Sequence, residues 1–573
     1  MLPKWFEEAR FGMFIHWGLY AALGGLYKDQ EMTYIGEWIQ ARFRIPNAEY
    51  GKLAETFNPV KFDADEWIRT AAAAGVKYIV YTSKHHDGFA MYHSKVSSYN
   101  IYDATPFKRD PLAELAEACR KYGVRLGIYY SQNLDWHEPD GGDPGPSYPP
   151  NGNMMTWGND WDFPDYDKKD FRRYFEGKVK PQIRELLTNY GEVSVLWCDC
   201  PLDMKPEFSQ ELRALVKELQ PNCIINQRIG NNCNDYSGLG DNQLPVDRRN
   251  DTREAPVTLN HTWGFKWRDQ EWKTPEQIVR TLSSLASRNA NLLLNIGPMP
   301  DGSWPEGTKK VFAGITPWVQ KNGDAIFASS PNPFPVDLSF GSCTVTGNRM
   351  HLFIEKPVSS IELNGICSKA VSATVPFTQN GEVLRLETAD LDHEMLARVT
   401  VTFEDVPQIR QELIPQNGVL KLRPRNGEAI HGKAVSGSAQ ETVSADGELE
   451  GGIHSSFGRD GSLVNWGNPA DSIVWGVTLP AGRYQILLET RNLASWDAHA
   501  EWFGGRKVAW TMGDFSGEVE LTRISGTGAS GESLIGECEF AGDFTGELVL
   551  RTSAILSEDA ANMNLTGLCF VKC

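Results

Sequence analysis

A chain of 573 residues is too long for a single hydrophobic core, so about two to four domains are expected. Its formal net charge of −18 argues against nucleic acid or an anionic membrane as partner, because both reward cationic surfaces. A hydrophobic content of 41% supplies ample core, and no apolar run reaches the roughly 18 residues that a spanning helix needs.

The ten cysteines show neither CxxC spacing nor a dense cluster, so neither a zinc site nor a disulfide scaffold is signalled. Most lie in apolar strands, which suits a reducing compartment or a periplasm that tolerates free thiols. The N-terminus has no apolar signal core, so the expected location is the cytoplasm, or the periplasm or exterior if a signal has been removed. Eighteen tryptophans are many for this length, and aromatic faces suit ring-shaped substrates such as sugars.

From residue 11 to 295, β-rich apolar runs alternate with helical patterns, the mark of parallel βαβ units. Residues 12–18 form the first expected strand, ending on His16 and Trp17. A helix is expected over 63–74, with acids in its first turn and Gly75 as its stop. Residues 76–82 form the second strand, running into Ser83-Lys84-His85-His86-Asp87-Gly88-Phe89. Residues 111–122 read as a helix with Pro at its start and Gly123 past its end. The third strand, 124–131, is followed by a Gly/Pro-rich loop over about 138–153, long enough to shape a substrate. A helix over about 168–190 leads into the fourth strand, 193–199. Strands at 224–228, 257–264 and 291–297 follow, with helices at 274–288 and 306–321. The stretch between about 230 and 254 shows no helical pattern.

Seven or eight such units predict a (β/α)8-like, TIM-type barrel over residues 1–330, its outer ring irregular where the helical pattern is missing. A doubly wound sheet is the alternative, disfavoured because no glycine-rich phosphate loop follows the first strand. After the proline-rich segment at 331–335, alternating strands predict a β-sandwich to residue 411. A second β-rich block over 412–573 reads as a jelly-roll-like accessory domain. It could bind carbohydrate through Trp466, Trp496 or Trp502, or be purely structural.

In such a barrel the active site is built from the C-terminal strand ends. Collected here, those ends are His16, Trp17, His85, His86, Tyr129, Tyr130, Trp197, Asp199 and Trp263, a polar, ring-lined set suited to a sugar. Alternation along an extended chain places Trp197 and Asp199 on one face, with Cys198 and Cys200 on the other as packing. It also keeps His85 and His86 from pointing the same way, which speaks against a shared metal, and lets only one of Tyr129 and Tyr130 face the pocket. Retaining glycoside hydrolysis needs two carboxyls about 5–5.5 Å apart. Asp199 can be one. Glu254, just before the sixth strand, is the preferred candidate for the other, with Asp235, Asp241, Asp247, Asp251 and Glu271 in the same irregular region.

Several motifs in order resemble the glycoside hydrolase family 29 α-L-fucosidases. They are Trp5-Phe6-Glu7-Glu8-Ala9-Arg10-Phe11-Gly12-Met13-Phe14-Ile15-His16-Trp17-Gly18, Tyr81-Thr82-Ser83-Lys84-His85-His86-Asp87-Gly88-Phe89, Leu196-Trp197-Cys198-Asp199 and Asn291-Leu292-Leu293-Leu294-Asn295-Ile296-Gly297-Pro298. The resemblance implies a retaining exo-α-L-fucosidase acting on fucosylated oligosaccharides or glycoconjugates, without cofactor or metal. It implies Asp199 as nucleophile, with His16, Glu37, Trp38, His85, His86, Tyr130 and Trp197 around the fucose, and Trp263 beside them. The segment 252–265 resembles the one in which some members carry the acid/base, again favouring Glu254. Segments 97–101 and 104–110 look like those of members that prefer α-1,3/1,4 linkages. Cys200-Pro201 after the nucleophile departs from the family, which often has Gly there. The competing readings are a metal-dependent barrel hydrolase using His16, His85 and Asp199, and a catalytically inactive sugar-binding protein. The oligomeric state is not legible.

Overall fold

The computed structural model describes residues 2–141, 158–201, 204–393, 395–430, 442–443, 449–450, 455–464, 466, 471–492, 506–522, 524, 529–556 and 563–573. Most of the expected loop over 138–153 lies outside the described residues, as do Trp496 and Trp502. The chain divides into two compact units. The first comprises Met1–Asn242, Asp251–Leu282 and Ala290–Ala328; the second comprises Gln243–Asn250, Ser283–Asn289 and Ser329–Cys573.

The first unit is built on a seven-stranded parallel sheet. Its strands are β1 (Phe11–Ile15), β2 (Tyr78–Lys84), β3 (Arg125–Ser131), β4 (Val195–Asp199), β5 (Ile224–Ile225), β6 (Arg253–Thr258) and β7 (Ala290–Ile296). They are ordered β5-β4-β3-β2-β1-β7-β6. The strands are buried almost throughout, as expected where both faces of a parallel sheet are covered. The covering helices are α1 (Ala64–Ala73), α2 (Pro111–Tyr122), α3 (Lys180–Asn189), α4 (Pro206–Leu219), α5 (Pro275–Ser287) and α6 (Glu306–Asn322). Helix α2 starts where Asp110 accepts bonds from the amides of Leu112 and Ala113, and it stops at Gly123, whose φ is 67°. Helix α4 was not among the expected elements, although Pro206 at its start and Phe208, Leu212, Leu215 and Val216 at helical spacing mark it. The helix expected over 168–190 is instead an α-turn, a π-segment at Phe175–Val179, and then α3.

The sixth strand is displaced from its expected position: it runs over Arg253–Thr258, not 257–264. Arg253, Glu254 and Pro256 read as loop residues, but β6 is the last strand of the sheet order, where a proline without an N–H is tolerated. The shift moves Glu254 from a loop to the second position of a strand, and Trp263 from a strand end into the loop beyond.

No helix stands between residues 230 and 252. Instead, Tyr236 bridges Asn226 and Gly238 bridges Glu254, both in the parallel sense, so this irregular segment occupies the gap between β5 and β6. Its further ties to β6 include the backbone bond from Asn242 N to the Pro256 carbonyl at 2.9 Å and the bond that Asn242 Oδ1 accepts from Thr258 N, also at 2.9 Å.

Phe14, Tyr78, Val80, Tyr129, Val195, Trp197, Tyr236 and Leu293 share one buried cluster with Phe6. Gly12 makes room for it, because a β-carbon there would sit 2.5 Å from the Tyr78 ring. Among the described residues no helix is long and apolar enough to cross a membrane.

The second unit is almost entirely β. A four-stranded and a three-stranded antiparallel sheet occupy residues 341–403, and six- and five-stranded sheets occupy most of the remainder. Strand Ala397–Phe403 alternates buried and half-buried residues, the pattern of one face turned to a core. One apolar cluster runs through all these sheets, from Phe334 to Phe570. Trp466, read from the sequence as a candidate exposed ring, is buried there beneath the Arg506 guanidinium.

Candidate active site

The site forms at the C-terminal strand ends of the first unit, around the last residue of β4. Asp199 pairs in register with Ser131, the last residue of β3. Its Oδ2 accepts the Tyr129 hydroxyl at 2.8 Å, and its Oδ1 accepts Arg228 Nη1 at 2.7 Å and the Cys200 amide at 2.9 Å. Gln132 fixes the surroundings by accepting the Asp199 amide and donating to the Arg228 carbonyl, both at 2.7 Å. Burial works to raise the Asp199 pKa, but the Arg228 guanidinium and the Tyr129 hydroxyl outweigh it and hold the carboxyl below its usual range.

The other terminal nitrogen of Arg228 bonds Asp241, on the irregular segment that fills the β5–β6 gap. One guanidinium therefore holds two carboxyls, one on each terminal nitrogen. Their environments push them apart. Burial raises the Asp241 pKa and nearby Asp199 adds to it, so that together they outweigh Arg228. The guanidinium also lies 4.8 Å above the Trp197 ring, which props it from below.

Glu254 meets Trp197 rather than Asp199. It lies at the opposite, N-terminal end of its strand, within reach of Tyr78, the first residue of β2. Its carboxyl is buried and takes three donors: Tyr78 Oη at 2.6 Å, Trp197 Nε1 at 2.7 Å and Tyr236 Oη at 3.1 Å. Burial raises its pKa against those donors. This one buried carboxyl ties Tyr78, Trp197 and Tyr236 together.

The histidines sit in the pocket as neutral rings. Asn295 donates to the Trp263 carbonyl at 2.8 Å, which turns its Oδ1 toward His16 Nδ1 at 2.6 Å. His16 therefore carries its proton on Nδ1 and offers Nε2 as an acceptor. Burial lowers its pKa to about 4. Ser131 donates to the Leu134 carbonyl at 2.9 Å and so accepts from His86 Nδ1 at 2.7 Å, leaving His86 Nε2 with a lone pair 3.8 Å from Asp199 Oδ2. His85 stacks on Tyr129 and has a buried Nδ1 with no protein partner. Burial lowers both pKa values well below the ordinary histidine value.

Contrary to simple alternation, His85 and His86 both reach the pocket, because the register slips between Thr82 and Lys84. Behind them Lys84 is fully buried, bonded to Asp135 Oδ2 at 3.2 Å and to the Tyr174 hydroxyl at 3.1 Å. Lys178 reaches the same carboxylate at 2.9 Å.

Trp38 and Trp263 close the ring of aromatics, 5.0 Å from His86 and 5.3 Å from His16 between ring centres. Glu37 accepts the Gly264 amide at 2.8 Å, and burial lifts its pKa to about 7.

Three expectations are corrected. Tyr130 faces away, bonding Gln182 at 2.8 Å in the helix layer, and Tyr129 takes the pocket position. Trp17 packs against Phe62 and Trp67, outside the pocket. Cys200 does not join Cys198 behind the strand, because its φ of 51° ends the alternation and brings its Sγ within 3.7 Å of His86 Nε2. Sequence reasoning missed Arg228, Asn295 and Gln132. For Arg228 a signal existed: it stands just past an apolar strand, where a buried cation calls for acidic partners.

A family model described as Alpha-L-fucosidase matches residues 1–324. The chain belongs to the α-L-fucosidase family. It is a glycoside hydrolase that releases fucose from fucosylated glycans. Tissue α-L-fucosidase of Rattus norvegicus is 30% identical over 354 residues, covering 58% of this chain and 71% of that one. The crystal structure of the α-L-fucosidase from Vibrio sp. strain EJY3 matches with a TM-score of 0.81 and 26% identity, over 99% of this chain and 97% of that one. An α-L-fucosidase from Lactobacillus casei, solved with α-L-fucose product, matches at 46% identity and a TM-score of 0.53, over 56% of this chain and 98% of that one.

Proposed function

We propose that this fucosidase is a retaining exo-enzyme in which Asp199 is the nucleophile and Asp241, rather than Glu254, is the acid/base. The observation that carries the reading is the Arg228 guanidinium shared by two carboxyls with opposite pKa displacements. In the first step an ionised Asp199 oxygen attacks the anomeric carbon. The bond to the leaving oxygen breaks, and that oxygen takes the proton from Asp241. The covalent fucosyl-enzyme has lost the Asp199 charge, which removes one cause of the raised Asp241 pKa. Asp241 is then the stronger acid, stable as carboxylate and ready to take a proton from water. The water oxygen attacks the same carbon, the ester bond breaks, and fucose leaves with its configuration retained.

His16 and His86, neutral with Nε2 lone pairs, accept sugar hydroxyls, and the unpartnered ring nitrogen of His85 adds a third polar contact. The aromatic wall of Trp38 and Trp263 meets the apolar face and methyl group of fucose. In this reading the seven-stranded sheet, with residues 235–242 in the remaining gap, is the (β/α)8-like barrel of a catalytic domain over 1–330. A β-sandwich over 331–411 and an accessory β-domain over 412–573 follow.

For linkage, a variant of the Lactobacillus casei enzyme, 45% identical to this chain, was solved with Fuc(α1,6)GlcNAc. That supports an α-1,6-linked substrate over the α-1,3/1,4 preference read from segments 97–101 and 104–110.

The decisive experiment compares Asp199→Ala, Asp241→Asn and Glu254→Gln on 4-nitrophenyl fucoside and on Fuc(α1,6)GlcNAc. Asp199→Ala loses turnover on both and regains some with azide as β-fucosyl azide. Asp241→Asn retains the first step on the activated fucoside and loses the disaccharide by about 10²–10⁴-fold. Glu254→Gln affects both substrates equally. If Glu254→Gln showed the leaving-group pattern and Asp241→Asn did not, the assignment would be wrong.

A further inference from the structure

The residue after the proposed nucleophile carries chemistry that glycoside hydrolysis does not use. Cys200 is held at a φ of 51°, a left-handed conformation that costs a residue with a β-carbon about 1 kcal/mol or more. Its thiol consequently faces the pocket. Cys200 Sγ lies 3.7 Å from His86 Nε2, and that nitrogen lies 3.8 Å from Asp199 Oδ2. One ligand atom from each of the three residues fits within 4.8 Å of the others. Around a tetrahedral zinc ion with bonds of about 2.0–2.3 Å, ligand atoms stand roughly 3.3–3.8 Å apart. His86 Nε2 already stands at that spacing from both Cys200 Sγ and Asp199 Oδ2, and the Cys200–Asp199 pair lies within 4.8 Å.

The ligands are also oriented for it. The Leu134 carbonyl, the Ser131 hydroxyl and His86 Nδ1 form a chain that leaves Nε2 with its lone pair toward the thiol, the arrangement by which metal-binding histidines are usually fixed. Asp199 commits Oδ1 to Arg228 and keeps a lone pair on Oδ2 beyond the Tyr129 bond. Sulfur and imidazole together select zinc-class ions over magnesium or calcium.

We propose that the fucosidase pocket binds a thiophilic divalent cation, of the zinc class, on His86 Nε2, Asp199 Oδ2 and Cys200 Sγ, with water in the fourth position, and that binding stops hydrolysis by occupying the nucleophile. The inhibitory half rests on the assignment of Asp199 above. On binding, the Cys200 S–H bond breaks, its proton passes to solvent and sulfur donates a pair to the metal, so affinity rises with pH. Arg228 opposes the incoming charge, which keeps the metal removable by chelator.

The test uses the full chain with Co²⁺ as a spectroscopic substitute for Zn²⁺, alongside chromogenic fucoside hydrolysis. One equivalent of Co²⁺ should give a near-ultraviolet thiolate-to-metal band and tetrahedral visible bands. Zn²⁺ should erase them and inhibit turnover until chelator is added. Cys200→Ser, and Cys200→Gly, which suits the left-handed backbone, should hydrolyse the fucoside, lose the thiolate band and resist Zn²⁺ by more than about tenfold. Absence of the band in the parent enzyme overturns the site. Equal Zn²⁺ inhibition of parent and both Cys200 variants overturns it as well. A thiolate band that depends on Cys200, in a protein that turns over no fucoside, supports the metal site and instead rejects the catalytic reading.

Discussion

Arg228 sets the working range of both acids, and its loss has a signed consequence. Burial alone would raise the pKa of Asp199 and of Asp241, and Arg228 lowers both. In the proposed mechanism Asp199 must be ionised and Asp241 protonated. Activity therefore falls at low pH as Asp199 gains a proton, and at high pH as Asp241 loses one. Arg228→Met should move both limbs of the kcat/KM profile to higher pH while lowering its maximum. Arg228→Lys keeps the charge without the fork that reaches two carboxyls at once, and should keep the limbs near their original positions at reduced rate. A profile that stayed in place in Arg228→Met would mean that the guanidinium does not govern these groups. At this scale the sequence was informative where a side chain sits within regular alternation: Trp197 and Asp199 share a face as expected. It misled where the backbone departs from alternation, at the slip before His85 and the left-handed turn at Cys200.

At the scale of elements, the loop that carries both histidines depends on a buried charge cluster. Lys84 and Asp135 are fully buried, and Lys178 nearly so. Burial lowers the Lys84 pKa to about 8 against the pull of Asp135. Asp135 is the shared anion, so Asp135→Asn leaves the fully buried Lys84 without its paired carboxylate and should destabilise the fold by about 3–5 kcal/mol in urea unfolding. The strands β1 to β4 and β7 were legible because each is a short apolar run closed by polar residues. Strand β6 was not, since Pro256 and two charged residues imitate a loop. The segment over 235–242 has no periodicity to read, so Asp241 could not be singled out from the four other acids around it. That ambiguity is physical: the segment is placed by a few backbone bonds to its neighbours, and no helix or continuous ladder writes a pattern into its side chains.

At the scale of the molecule, two buried features govern stability. Glu37, with its pKa lifted from 4.5 to about 7, keeps its proton in the folded state while the unfolded chain ionises. Below pH 4.5 it is neutral in both states and costs nothing. Between about 4.5 and 7 stability declines as pH rises, by about 3 kcal/mol in all. Glu37→Gln should flatten that part of the stability–pH curve, and an unchanged slope would show that the carboxyl is not the cause. In the second unit Arg423 bonds Asp337, Glu489 and the Thr566 carbonyl, all within 2.9 Å. Arg423→Met leaves Asp337 to Arg288 and Glu489 to Lys421, so it should lower the urea midpoint of that unit's unfolding by an amount corresponding to about 1.5–3 kcal/mol, the worth of the charged hydrogen bonds lost.

The segment between β5 and β6 has an evolutionary consequence. The proposed nucleophile closes a strand paired along its length to a neighbour, so a deletion or insertion near it would shift a whole ladder. The proposed acid rides on residues joined to the sheet by isolated bridges, where length can change without slipping any register. Diversification of such enzymes toward new leaving groups should therefore concentrate in residues 230–252. Libraries that vary this stretch should return folded proteins with altered aglycone choice far more often than libraries of equal size placed around Asp199.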